Sequence, residues 1–211
     1  MTKLRTCFIG DSITNGTGDT TLLGWPGHLC QAETDAGHDI TYYDLGIRGD
    51  TSADMLPRWH DEVEARLPQV LNCAIIFNFG LNDATEQDGG IRVPLGDSIR
   101  NARAMLGSAK TMHTTLWVGP SPVDDSKMPL MTDTGETRDK RNARTADYNL
   151  AFRALADELQ IPYLDMLSAL INDSSWPGRL ADGLHPAPEG HRKMAQIVGD
   201  WEAWRKIVDG Y

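Results

Sequence analysis

The stretch Phe8-Ile9-Gly10-Asp11-Ser12-Ile13-Thr14-Asn15-Gly16 decides the fold. An apolar run from Leu4 to Ile9 stops at a glycine and then a serine. This is the pattern of a buried strand that ends in a tight turn with a hydroxyl at its tip. In an open α/β sheet, ligands bind just beyond the carboxyl ends of the strands. Ser12 therefore stands where a nucleophile is useful, unless Asp11 or Ser12 merely caps the helix that follows. The same tripeptide recurs at Gly96-Asp97-Ser98. No strand precedes that copy and a helical pattern follows it, so capping is the reading there. The N-terminal copy is decided by what else the chain carries.

Outward from this turn, strand and helix patterns alternate. A helix is expected from Pro26 to about Ala36-Gly37, with Pro26 in its first turn, where a missing N–H costs nothing. A second strand, Ile40 to Leu45, ends in Gly46-Ile47-Arg48-Gly49-Asp50-Thr51-Ser52. Thr51 or Ser52 then caps a helix reaching Leu67, kinked at Pro57, whose inner stripe is Met55, Trp59, Val63 and Leu67. The third strand, Cys73 to Phe79, is almost continuously apolar, as suits a central parallel strand covered on both faces. It ends in Gly80-Leu81-Asn82-Asp83. A polar loop follows at Glu86–Gly90, then a helix at about Asp97–Met112, and a fourth strand at Thr114–Val118. The stretch Pro120–Thr137 reads as a long irregular loop. Such loops are often functional, and Met128, Leu130 and Met131 on it are candidates to line an acyl pocket. A helix at Arg138–Gln160, a strand at Ile161–Leu167, a loop holding Asp182-Gly183-Leu184-His185 and a last helix at Pro188–Val208 complete the chain. This alternation predicts one α/β domain over residues 1–211, a three-layer α/β/α sandwich. Its five-stranded parallel sheet is expected in the flavodoxin-like order 2-1-3-4-5. That order sets the ends of the first three strands side by side.

The composition of the 211 residues excludes several classes. Hydrophobic content of 40% and charged content of 24% are those of a soluble globular protein. A net charge of −10 argues against nucleic acid and anionic membranes as partners, since both call for a basic surface. It also disfavours strongly anionic substrates, although a local site can override a global charge. The three cysteines, Cys7, Cys30 and Cys73, form neither a disulfide framework nor a metal knuckle and read as buried small hydrophobes. No signal-peptide pattern precedes the first strand and no run approaches a membrane span, so a cytoplasmic location without membrane insertion is expected.

Four strand-end segments carry chemistry. A serine hydroxyl needs a base to take its proton, and His185 can serve. An imidazole that becomes charged needs its other nitrogen held by a carboxylate. Asp182 stands three residues before His185, with Gly183 letting the loop turn. The oxyanion formed by attack on an ester carbonyl needs fixed donors. The backbone N–H groups of Ser12 and Gly49 and the side-chain amide of Asn82 can supply them.

These four segments resemble the blocks of the SGNH hydrolases, also called GDSL esterases/lipases. Gly10-Asp11-Ser12-Ile13-Thr14 resembles the nucleophile block, with Ile in place of the usual Leu. Gly46–Thr51 resembles the second block, Gly80-Leu81-Asn82-Asp83 the third, and Asp182-Gly183-Leu184-His185-Pro186 the last. They occur in order and span Gly10 to Pro186. Leu81 departs from the small or hydroxyl residue usual there, which would alter the lining beside the oxyanion hole. The resemblance implies an acyl-enzyme ester hydrolase with Ser12, His185 and Asp182 as triad and Ser12, Gly49 and Asn82 as oxyanion hole. It implies no cofactor and no metal. The expected partner is a small-molecule ester, of short or medium acyl chain or an O-acetylated carbohydrate; oligomeric state is left open. The chain lacks the Gly-x-Ser-x-Gly elbow of the α/β-hydrolase fold.

The same residues leave rival readings. Acyl transfer would use the same triad with an alcohol replacing water. A non-catalytic binding domain has no need of all five site residues. A flavodoxin-like nucleotide binder would want a phosphate cradle after the first strand, where Asp11 stands. His28, His38, His60 and His113 read as surface or satisfied histidines, and His191 as structural. Asp11 reads as a turn stabiliser and Asp83 as an anchor for the Asn82 turn. Trp25 belongs either to the core or beside the substrate, and Arg48 is a candidate contact to a substrate carbonyl or carboxylate.

Overall fold

A computed structural model describes residues 1–132 and 135–210. Its main sheet contains β1 (Lys3–Gly10), β2 (Asp39–Gly46) and β3 (Cys73–Asn78). Two more strands follow later in the chain, with one pair of short strands before the first of them and another pair between the two. In chain order these are β4 (Glu86–Gln87), β5 (Gly90–Ile91), β6 (Thr114–Val118), β7 (Leu130–Met131), β8 (Thr137–Asp139) and β9 (Tyr163–Leu164). The main sheet is wholly parallel in the order β2-β1-β3-β6-β9, so its five strands follow the expected 2-1-3-4-5 order.

Strand residues alternate between the two faces, and the alternation builds two cores. Leu4 and Phe8 of β1, Ala74 and Ile76 of β3, and Leu116 and Val118 of β6 point to one. There they meet α1 (Gly24–Asp35), α7 (Pro188–Gly199) and α8 (Glu202–Asp209). Cys7, Ile9, Ile75, Phe77 and Trp117 point to the other. They meet α2 (Ser52–Met55), α3 (Trp59–Glu64), α4 (Leu95–Met112) and α5 (Asn142–Leu159). Every residue of β3 is buried, as its unbroken apolar run requires. The register aligns the carboxyl ends: Gly10 pairs with Gly46 and with Asn78, and Asn78 with Val118. The turns after β1, β2 and β3 therefore open onto one edge of the sheet.

Several boundaries differ from the sequence expectation. The helix expected to run to Leu67 is two helices, α2 and α3, divided around Pro57, which has no N–H to continue the ladder. Its stripe survives, since Met55, Trp59, Val63 and Leu67 are all buried. The helix at Gly96-Asp97-Ser98 begins at Leu95 after Pro94, so neither Asp97 nor Ser98 caps it. Ser98 instead donates to the buried Asp83 carboxylate. The fifth strand is only Tyr163–Leu164, because Asp165 caps a further helix, α6 (Met166–Leu170), by accepting from Ser168 N–H. The last helix breaks between Gly199 and Glu202 into α7 and α8.

The largest departure is a second, antiparallel sheet in the order β5-β4-β8-β7. It joins the two segments read as loops, Glu86–Gly90 and Pro120–Thr137. Arg138 and Asp139, read as the start of a helix, pair with Gln87 and Glu86 instead. That helix starts at Asn142. Residues 133 and 134 of the Pro120–Thr137 segment lie outside the described residues. The three cysteines are buried and unpaired. Among the described residues, no helix is long and apolar enough to cross a membrane.

Candidate active site

The turn after β1 is fixed by Asp11. Its Oδ1 accepts from the Ile13 N–H at 2.9 Å, and its carbonyl accepts from Asn15 N–H at 2.9 Å. Ser12 between them is 7% exposed, and its hydroxyl lies 3.0 Å from His185 Nε2. His185 comes from the loop before α7. Asp182 Oδ1 accepts the backbone N–H groups of Leu184 and His185, each at 2.8 Å, and its Oδ2 lies 2.7 Å from His185 Nδ1. A carboxylate can only accept, so Nδ1 carries the proton and Nε2 is the lone-pair acceptor facing the serine. Burial works against ionisation of Asp182, but the bonds from the His185 ring and the two N–H groups outweigh it. They hold its carboxyl well below the usual carboxylate range.

The turn after β2 brings Gly49, whose φ of +86° only glycine adopts freely. Its carbonyl accepts from Arg92 Nη2 at 2.9 Å. Neither the Ser12 nor the Gly49 backbone N–H has an acceptor among the described residues. The turn after β3 brings Asn82, whose amide is held on every side. Its Nδ2 donates to Asp11 Oδ2 at 3.1 Å and to the Asp50 carbonyl at 3.0 Å, and its Oδ1 accepts from Lys140 Nζ at 2.8 Å. Lys140 also donates to Thr85 Oγ1 at 2.6 Å and is 2% exposed. Burial lowers the proton affinity of Lys140, with the Asp11 charge opposing the shift. Burial likewise raises Asp11, with the Ile13 N–H and Lys140 opposing.

Ser12, Gly49, Asn82, Asp182 and His185 line one cavity of about 650 Å³. A cavity of about 620 Å³ elsewhere, beside Trp201 and Ile207, is lined by no serine, cysteine or histidine among the described residues. Arg48 reaches the wall of the Ser12 cavity, as do Leu130 and Met131. Met128 does not; it is packed in the core. Leu81 is also core and lines no part of this cavity, so its departure from the usual residue leaves the lining unchanged. Trp25 is fully buried against Phe8, which makes it core. His191 is buried and bridges Trp25 N–H and the Thr17 carbonyl. His28 is satisfied by Asp19 at 2.9 Å. Asp83 accepts from Ser52 N–H and Ser98, tying the Asn82 turn to α2 and α4. His60, Asp61 and Glu64 form the one His–acid group among the described residues close enough to share an ion, and none of them lines the Ser12 cavity.

Sequence reading missed Lys140, Arg92 and Arg138. Arg138 stands in the short inner strand β8, and Arg92 and Lys140 in the chain just after β5 and β8, with no local signature for any of them.

The sequence matches the family described as GDSL-like Lipase/Acylhydrolase over residues 8–193. No curated protein matches it. Among solved structures, a lipase/acylhydrolase from Enterococcus faecalis superposes with a TM-score of 0.77 at 19% identity, covering 98% of this chain and 96% of that one. TesA superposes with a TM-score of 0.71 at 21% identity, covering 96% and 99%. A variant of Axe2, an acetyl xylan esterase from Geobacillus stearothermophilus, gives 0.71 at 20% identity, covering 97% and 94%. At these identities the likeness is one of fold.

Proposed function

As the chain belongs to the GDSL-like lipase/acylhydrolase family, we propose that it is a serine esterase acting on carboxylic esters through an acyl-enzyme. The observation that carries this is the relay from Ser12 Oγ to His185 Nε2 at 3.0 Å and from His185 Nδ1 to Asp182 at 2.7 Å, at the wall of an open cavity. Ser12 Oγ attacks the carbonyl carbon while its proton passes to His185 Nε2. Asp182 holds the imidazolium that forms. The oxyanion is met by the N–H groups of Ser12 and Gly49 and by Asn82, which turns one amide hydrogen from its resting partners toward the substrate. His185 then gives its proton to the leaving alcohol, leaving the acyl group on Ser12. Water, deprotonated by His185, attacks that acyl carbon, the bond to Ser12 Oγ breaks, and His185 returns the proton to Ser12 as the acid leaves.

Among the described residues, the cavity's apolar lining is Leu130, Met131 and Leu184. A wall this short supports small or medium acyl groups, O-acetyl groups on carbohydrates among them, over long lipid chains.

The test is hydrolysis of p-nitrophenyl esters from acetate to long chain, with Ser12→Ala in parallel. Cleavage of the short esters that is lost in Ser12→Ala, together with labelling of Ser12 by a fluorophosphonate, supports the reading. Equal activity in Ser12→Ala, or no labelling, sinks it.

A further inference from the structure

We infer that the cavity beside Ser12 takes an ester that carries a carboxylate close to the scissile bond. The inference rests on the esterase reading above and names the substrate class of that site.

The chain has a net charge of −10, yet three arginines, Arg48, Arg92 and Arg138, line this cavity with Ser12 and His185. Two of them flank Gly49. Arg92 Nη2 holds its carbonyl at 2.9 Å, and Arg138 Nη1 lies 3.7 Å from where a Gly49 side chain would begin. Each of these two keeps a buried nitrogen, Arg92 Nη1 and Arg138 Nε, with no acceptor among the described residues. Guanidinium groups this close repel. Burial and then the Arg138 charge weaken the hold of Arg92 on its proton, with Asp54, Asp83 and Asp11 opposing.

Among the described residues, the carboxylates of the cavity wall already have partners. Asp50 pairs with Arg58 at 2.8 Å, Asp54 accepts from the Thr51 N–H and hydroxyl at 2.9 and 2.7 Å, and Asp182 holds His185. The carboxylate paired with Arg138 is Glu136, at 3.5 Å and 42% exposed. Arg48 is exposed and has no ion pair among the described residues. A wall with committed acids and spare guanidinium donors is short of one anion. A planar guanidinium meets a carboxylate through two parallel hydrogen bonds, the geometry in which arginine surpasses lysine. A basic cleft on an acidic protein also concentrates anions locally. One arginine would suffice to clamp the Gly49 carbonyl; the second and third have no such duty.

Two matched ester pairs test this. Mono-p-nitrophenyl glutarate against p-nitrophenyl valerate places the anion on the acyl side. 4-Acetoxybenzoate against 4-acetoxybenzamide places it on the alcohol side. The expected result is a kcat/KM at least about tenfold higher for the anionic member of one pair, as a charge-assisted bidentate contact gives. That preference should shrink in high salt and in Arg138→Gln or Arg48→Gln. Neutral members cleaved as well as or better than the anionic ones in both pairs would overturn the inference while leaving the esterase reading intact. An anion preference untouched in both variants would overturn its placement on these arginines. Cleavage of no ester, with Ser12 unlabelled by a fluorophosphonate, removes the esterase reading and this inference together.

Discussion

The ammonium of Lys140 lies 2.8 Å from the side-chain oxygen of Asn82, in a site where Lys140 is 2% exposed. A cation on the oxygen of an amide draws electron density away from its N–H groups, and so makes them stronger donors. It also fixes which end of the amide faces the substrate. On the mechanism proposed above, with Asn82 as an oxyanion donor, Lys140 would be a positioning residue that acts through Asn82. Loss of a whole oxyanion donor costs ~10²–10³ in kcat, so weakening one should cost Lys140→Met about 10–100-fold, with KM changed little. Steady-state kinetics on a short ester checks this. The pH profile separates it from a purely structural role. Because burial lowers the proton affinity of Lys140, its charge is lost as pH rises through that lowered value. Wild-type kcat should then show an alkaline decline that Lys140→Met lacks; the same decline in both would refute the role.

Asp182→Asn should leave the fold intact and remove most of the activity. The amide keeps an oxygen for the N–H groups of Leu184 and His185, but it offers an N–H toward His185 Nδ1. The ring then takes its other tautomer and its proton faces Ser12. By analogy with serine protease triads, kcat should fall by ~10³–10⁴. The stability effect has a definite sign. The folded carboxyl is held below its ordinary value, so its contribution is present above about pH 4 and is lost as pH falls toward the folded value. Thermal melts should show the gap between wild type and Asp182→Asn closing below about pH 4.

His191 couples stability to pH in the opposite part of the range. Its Nδ1 accepts the Trp25 N–H at 3.1 Å, so Nε2 donates to the Thr17 carbonyl at 3.2 Å, and the ring must be neutral. Protonation would set two N–H groups against each other. Burial holds its pKa below the ordinary histidine value, with the Thr17 carbonyl and Asp19 opposing. The unfolded chain then binds the proton more readily, and stability falls as pH drops below about 6.5. His191→Asn keeps an acceptor for the Trp25 N–H and should flatten that slope in denaturant titrations at several pH values. An unchanged slope would assign it elsewhere.

Gly46→Ala tests the junction of the first two turns. A Cβ there would lie 2.4 Å from Asn15 N and 2.7 Å from the Asp11 carbonyl, both backbone atoms of the Ser12 turn. Backbone yields poorly, so the variant should lose about 1–3 kcal/mol of stability, as overpacked sites do. Because the displaced atoms flank Ser12, kcat should fall as well. A fully active, equally stable variant would show that the turn shifts freely.

The sequence by itself determined the sheet order, the three strand-end turns and the five residues gathered around the cavity. Each rests on a local signal: an apolar run that ends in a glycine, or a short block such as Asp182-Gly183-Leu184-His185, whose residues need only their neighbours to take up their geometry. The tertiary structure decided the rest. Lys140 lies 58 residues from Asn82 in sequence, and nothing around it separates it from an exposed lysine at a helix start. Arg138 lies in β8 and Arg92 just after β5, and both strands, of three and two residues, pair with β4. Elements that short carry no periodicity to read. Their pairing is set by which backbone groups remain unsatisfied once the main sheet has formed, and only the folded chain brings those groups together.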